Sequence, residues 1–102
     1  MHIISRRKIR DFYETNVQAK VPLTEWYFKI KDCQAKNLTE LRTSFNSVDP
    51  VHGYTVFNVG GNNYRLITAI HYNAQRCYIR AIWTHAKYSK KESQVKLKRG
   101  EL

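Results

Sequence analysis

The apolar positions of this chain follow two periods. Before Asn46 they recur every three or four residues: Ile9, Phe12, Tyr13 and Val17, then Leu23, Trp26, Tyr27 and Ile30, then Leu38, Leu41 and Phe45. That spacing places each set on one stripe of an α-helix. From Tyr54 to Tyr88 the pattern shortens to three runs rich in Val, Ile, Tyr and Phe, broken at Gly60-Gly61-Asn62-Asn63 and at Asn73-Ala74-Gln75. Glycine and asparagine reach positive φ cheaply, as tight hairpins require, so the stretch predicts a three-stranded antiparallel meander. His2-Ile3-Ile4 is a further short strand. The chain is therefore α+β.

Local chemistry sets the expected boundaries. Ser5 is a candidate N-cap for the first helix, and Val21-Pro22 opens the second, where a missing proline N–H costs nothing. Asn37-Leu38-Thr39-Glu40 resembles a capping box with asparagine as the cap. Asn46 to Gly53, containing Asp49-Pro50, reads as a loop. A turn centred on Gly61-Asn62 pairs Asn58 with Arg65 and Phe57 with Leu66. One centred on Ala74-Gln75 pairs Arg65 with Thr84 and Ile70 with Ile79. Alternation along the strands then predicts a core face with Phe57, Val59, Leu66, Ile70, Ile79 and Trp83. The other face carries Asn58, Arg65 and Thr84, with Tyr54 and Arg80 in the next polar row.

Size and charge narrow the partners. One hundred and two residues suit a single domain over 1–102, large enough to bury a core without metal or disulfide. Eighteen Lys and Arg against eight Asp and Glu leave a net charge of +10, which points to nucleic acid through counterion release. A basic surface that merely aids solubility, or one that docks an acidic protein, is the alternative. The first helix opens with Arg6, Arg7, Lys8 and Arg10, cations set against the helix dipole; phosphate contact accounts for them, as does a solvated face. Cys33 and Cys77 fit no metal spacing, and Cys77 falls on the core face as a small hydrophobe. No apolar run approaches a membrane span and the first residues are no signal peptide, so a cytoplasmic protein with no membrane partner is expected. Residues 91–102 have little to bury and are expected as a flexible basic tail, at most briefly helical.

Catalytic motifs are few. No metal site or cofactor is expected; Gly60-Gly61 precedes neither a helix nor a Lys-Ser/Thr pair, and the acids are scattered. What remains is the cationic sheet face, ending in Thr84-His85-Ala86-Lys87-Tyr88. That set suits transesterification of RNA, in which an attacking 2′-hydroxyl builds charge on phosphorus. Arg65 and Arg80 are candidates to stabilise that charge, and His85 is the candidate acid or base. Tyr88 is placed to stack on or orient a base. Ion pairing for the arginines and a strand-end cap for His85 are the structural alternatives.

Val56-Phe57-Asn58-Val59-Gly60-Gly61-Asn62-Asn63-Tyr64-Arg65-Leu66-Ile67 and Tyr78-Ile79-Arg80-Ala81-Ile82-Trp83-Thr84-His85-Ala86-Lys87-Tyr88 resemble the HigB toxins. The N-terminal His-Ile-Ile-Ser with its basic helix, the Trp-containing second helix and the Leu-x-x-x-Phe segment extend the likeness to about Tyr88. It implies a fold similar to RelE-type mRNA interferases, with an N-terminal strand and two to three helices packed on one face of a small antiparallel sheet. It further implies cleavage of mRNA on the ribosome and neutralisation by a HigA antitoxin, a helix-turn-helix protein whose complex with the toxin represses the operon by binding operator DNA. Carried over by motif, the site comprises Arg65, Arg80, His85 and Tyr88, with Asn58 and Lys87 nearby. Lys90 and Lys91 join Arg6, Arg7, Lys8 and Arg10 as candidate RNA contacts. The family often has an acid after Thr-His-Ala and an Asp after the tyrosine; here Lys87 and Ser89 stand there.

Two other readings use the same surface. A non-catalytic module that binds RNA or the ribosome would arrest translation with message ends intact. A protein-directed toxin in the manner of ParE would arrest replication instead.

Overall fold

The structure is a computed structural model and describes all 102 residues, Met1–Leu102. In chain order it contains β1 (His2–Ile4), α1 (Arg7–Thr15), a 3-10 turn (Val17–Ala19), α2 (Lys20–Asp32), α3 (Leu38–Ser44), β2 (Asp49–Val51), β3 (Tyr54–Val59), β4 (Tyr64–His71), β5 (Arg76–Thr84), α4 (His85–Tyr88) and α5 (Lys91–Arg99). The strands form one five-stranded sheet in the order β1-β5-β4-β3-β2. All pairs are antiparallel except β1 with β5, which is parallel.

Helices α1 to α3 cover one face. Ile9, Leu23, Trp26, Ile30 and Leu41 bury their stripes against Phe57, Val59, Leu66, Cys77 and Ile79. The Trp26 and Phe45 rings meet Phe57 edge-on, at 5.3 and 5.0 Å between centroids. Trp26 is thus a core residue. Asn37 caps α3 as expected, its side chain accepting from the Glu40 N–H at 2.9 Å. Ser5 does not cap α1. Its backbone turns left-handed, with φ 71°, and Arg6 takes the cap position without a side-chain bond. The segment expected as a loop before the meander contains β2, an edge strand in which Pro50 sits opposite Thr55.

The first hairpin has the expected register, Asn58 opposite Arg65 and Phe57 opposite Leu66. Gly60 and Gly61 both lie at positive φ, and a Cβ on Gly60 would come within 3.1 Å of the Tyr64 ring. The second hairpin differs. Its turn spans Tyr72 to Gln75, with Gln75 at φ 53°, so His71 pairs with Arg76 and Ile70 with Cys77 rather than Ile79. An irregularity at Ile67/Thr68 then shifts the pairing again, and Arg65 faces Trp83 rather than Thr84. The residue left between pairs is Arg80. A bulge turns all that follows to the opposite face, so Trp83 leaves the core face and joins the side of Arg65.

That second face has its own apolar cluster, Tyr54, Val56, Ile67, Trp83 and Leu97, closed over by α5. The stretch expected as a flexible tail is this helix. Ser93 and Leu97, four residues apart, form its buried stripe, Leu97 is 0% exposed, and Gly100 ends it in the left-handed conformation. Tyr54, expected in a polar row, is buried beneath it. The tyrosine hydroxyl bonds the backbone of Leu102, accepting from its N–H at 3.1 Å and donating to its carbonyl at 3.3 Å. The sheet is therefore sandwiched, with α1 to α3 on one side and α4 and α5 on the other.

Candidate active site

The site lies where the β3–β4 turn meets the end of β5. Thr84 leaves the strand in an extended conformation, and its hydroxyl accepts from the Lys87 N–H at 3.2 Å. This cap starts the single turn of α4, which points His85 and Tyr88 back toward β4. The His85 N–H donates to the Asn63 carbonyl at 2.8 Å, tying α4 to the first hairpin turn. On the other side Gln94 of α5 donates its amide to the Tyr88 carbonyl.

Arg65 is the centre of the arrangement. It is 8% exposed and has no carboxylate partner: the ion pairs of the molecule are Arg7–Asp11, Arg10–Glu14 and Arg99–Glu101. Its guanidinium is held by neutral acceptors alone. One terminal nitrogen donates to the carbonyls of Asn62 and Tyr64, at 3.1 and 3.2 Å, and the other to Asn62 Oδ1 at 2.6 Å. The latter also lies 2.9 Å from His85 Nδ1. The Tyr88 ring covers the group, with its centroid 5.5 Å from the guanidinium carbon. A buried cation without a counter-ion is costly, and here neutral dipoles position it without cancelling its charge.

This geometry also fixes the histidine. A guanidinium has donors only and stays protonated, so Nδ1 of His85 must accept and a neutral ring carries its proton on Nε2. The exposed ring therefore offers a donor to solvent, while its basic nitrogen is occupied by Arg65.

Three of the four expected catalytic side chains, Arg65, His85 and Tyr88, are thus brought together. Arg80 is not in contact with them. It sits three positions along β5 from Trp83, the residue opposite Arg65, which is about 10 Å of strand. Its guanidinium lies 5.2 Å from the centroid of Tyr78, whose ring meets His71 edge-on, and no carboxylate pairs with it. Asn58 is exposed beside Arg65 in register, and the Lys87 amine stands 6.0 Å from the Trp83 ring centroid. Lys90 and Lys91 are exposed just beyond Tyr88. The basic residues of α1 are elsewhere. Ile9 and Phe12 pin that helix to the opposite face of the sheet, and Arg6, Arg7 and Arg10 line a groove between α1 and α2. Asn62 was legible in the sequence only as a turn residue, yet it supplies two of the acceptors that hold Arg65. The signal was an amide three residues before an arginine, across a turn that folds the two together. Trp83 was hidden by the bulge.

Residues 19–91 match the family described as HigB_toxin, RelE-like toxic component of a toxin-antitoxin system. The chain belongs to the HigB toxin family. It is 33% identical over 91 residues to the mRNA interferase toxin HigB of Escherichia coli strain K12, covering 86% of this chain and 88% of that protein. The mRNA interferase HigB of Shigella flexneri gives the same identity and coverage. A second mRNA interferase HigB, from Escherichia coli O6:H1, is 31% identical over 93 residues, covering 88% of this chain and 90% of the relative. The α+β architecture is consistent with a RelE-like toxin. No helix is long and apolar enough to cross a membrane.

Proposed function

We infer that this chain is the toxin of a type II toxin–antitoxin system and acts as an mRNA interferase, an endoribonuclease that inhibits translation. The observation that carries the reading is Arg65: buried, held by neutral acceptors, uncompensated in charge, and in contact with a histidine and a tyrosine.

The chemistry follows from that arrangement. The 2′-oxygen of a ribose attacks the adjacent phosphorus, forming a P–O2′ bond and breaking the P–O5′ bond. The products are a 2′,3′-cyclic phosphate and a 5′-hydroxyl. The proton of the 2′-hydroxyl must leave and one must reach O5′; no metal is required. Arg65 stabilises the charge on the phosphoryl oxygens. As its guanidinium turns to the phosphate, His85 Nδ1 is released and becomes free to take a proton, while Nε2–H remains a donor. Tyr88 stacks on or orients a base next to the cleaved bond. Arg80, farther along the same face, holds a neighbouring phosphate, and Tyr78 beside it offers a ring to a base. Asn58, Lys87, Lys90 and Lys91 line the strand's path.

The partners are mRNA on the ribosome and a HigA-type helix-turn-helix antitoxin, with operator DNA reached only through the toxin–antitoxin complex. The compartment is the cytoplasm. Arg65→Ala is expected to abolish growth arrest and new mRNA 5′ ends, mapped by primer extension on ribosome-bound message, while circular dichroism shows an intact fold. Full toxicity in a folded Arg65→Ala chain removes Arg65 from the mechanism. Wild-type arrest with intact message ends sinks the endoribonuclease reading in favour of a binding module.

A further inference from the structure

All three large apolar side chains that the molecule leaves exposed lie on one stretch. They are Val17 at 74%, Val21 at 66% and Phe28 at 57%. Val21, Thr24 and Phe28 are spaced by three and four residues, so they form one outward stripe of α2. The other stripe of that helix, Leu23, Trp26 and Ile30, is the one buried against the sheet. Beside the outward stripe lies a groove of about 430 Å³, lined by Ile9, Tyr13 and Phe28, by Arg6 at the cap of α1, and by Arg7 and Arg10 within it. Arg7 and Arg10 make only exposed pairs with Asp11 and Glu14, at 4.0 and 3.8 Å. Arg6 has no carboxylate and rests against Tyr27, donating to its hydroxyl at 3.3 Å.

The groove opens on the outer side of the helical layer, away from the sheet face that carries Arg65. It is also of different character. Aliphatic side chains offer nothing to phosphates, and contiguous exposed apolar surface with a polar rim marks a protein contact. Three arginines on that rim specify carboxylates. The cations at the start of α1, unfavourable for the helix itself, thereby acquire a role.

We propose that the groove between α1 and α2 docks an acidic, amphipathic segment of the antitoxin. An apolar side chain of that segment seats on Phe28 and Tyr13, and its carboxylates meet Arg6 and Arg10. The proposal rests on the toxin–antitoxin reading of the chain. Substrate and antitoxin segment then occupy opposite sides of the sheet.

The test uses the full chain and its antitoxin. Phe28→Asp keeps an exposed position exposed and places a negative charge where the segment's own carboxylates come. It is expected to raise the antitoxin Kd about tenfold or more while mRNA cleavage by the free toxin stays at the wild-type rate. Val21→Asp should act in the same direction. A photoreactive benzoylphenylalanine in place of Phe28 is expected to crosslink to the antitoxin. Wild-type antitoxin affinity in both aspartate variants overturns the proposal, as does crosslinking at position 28 to RNA or ribosomal protein. Absence of antitoxin binding to the wild-type chain overturns it together with the toxin–antitoxin reading, which separates the two failures.

Discussion

At the scale of single residues, Asn62 holds the Arg65 guanidinium in place. Its side chain and carbonyl both accept from the guanidinium, and neither carries charge. Asn62→Ala removes one charge-assisted bond, worth about 1.5–3 kcal/mol, and lets the guanidinium swing. The expected outcome is a fall of roughly 10- to 100-fold in the single-turnover cleavage rate, together with a melting temperature lowered by about 6 °C or more. Asn62→Asp separates positioning from charge: it holds Arg65 more tightly but neutralises it. Activity should fall at least as far, with stability kept or raised; wild-type cleavage by the aspartate variant would mean that Arg65's free charge is not used.

Cys77 gives a second prediction at this scale. Burial, above all, pushes its thiol up to about 12, although hydrogen bonding with the Thr68 side chain opposes the rise. A pKa raised on folding favours the protonated form of the folded chain. The contribution is whole below the ordinary thiol value and is lost as pH climbs through about 12. Iodoacetamide at pH 8 should therefore leave Cys77 unlabelled in the folded protein and label it in urea, read by peptide mass mapping. Labelling in the native state would contradict its burial.

At the scale of elements, α5 does what local composition argues against. Five of its nine residues are charged, but Leu97 fills the gap over Tyr54, Val56, Ile67 and Trp83. Packing of one stripe sustains a helix that propensity alone would leave marginal. Leu97→Ala is expected to cost about 2–5 kcal/mol, measured by urea unfolding, because a fully buried leucine leaves a cavity. Since Gln94 holds the Tyr88 carbonyl, the same variant should also loosen Tyr88 and lower cleavage more than Km. A loss below about 0.5 kcal/mol would be that of a surface position and would return the segment to a detached tail.

At the scale of the whole molecule, the net charge is +10, and the basic residues of α1 and those around Tyr88 lie on opposite faces of the sheet. If Arg65, Arg80, Lys87, Lys90 and Lys91 each neutralise a phosphate, log K for single-stranded RNA should fall with log salt at a slope of about −3.5. Replacing Lys90 and Lys91 by alanine should bring the slope nearer to zero by roughly 1.4, whereas replacing Lys8 should leave it unchanged. Filter binding over a salt series checks both. An effect of Lys8 equal to that of Lys90 would mean that the two sides share one RNA path.

The α+β class, the helical stripes, the first hairpin register and the candidates Arg65, His85 and Tyr88 were legible in the sequence, because each depends on short-range chemistry or on a local motif. Glycine and asparagine at Gly60 to Asn63 set one turn, and so place Asn58 beside Arg65. Asn37 caps its own helix. Period alone separates the helical half from the strand half. The remaining features depend on residues far apart in the chain. The four-residue turn and the bulge at Arg80 are set by how β4 and β5 fit together, and one displaced residue exchanges every later side chain between faces. That exchange moved Trp83 beneath Lys87 and Tyr88. The fate of the last twelve residues depended likewise on a gap over Tyr54 that no local pattern announces. Local sequence supplied the arginine, histidine and tyrosine; packing across the sheet left that arginine buried without a counter-ion.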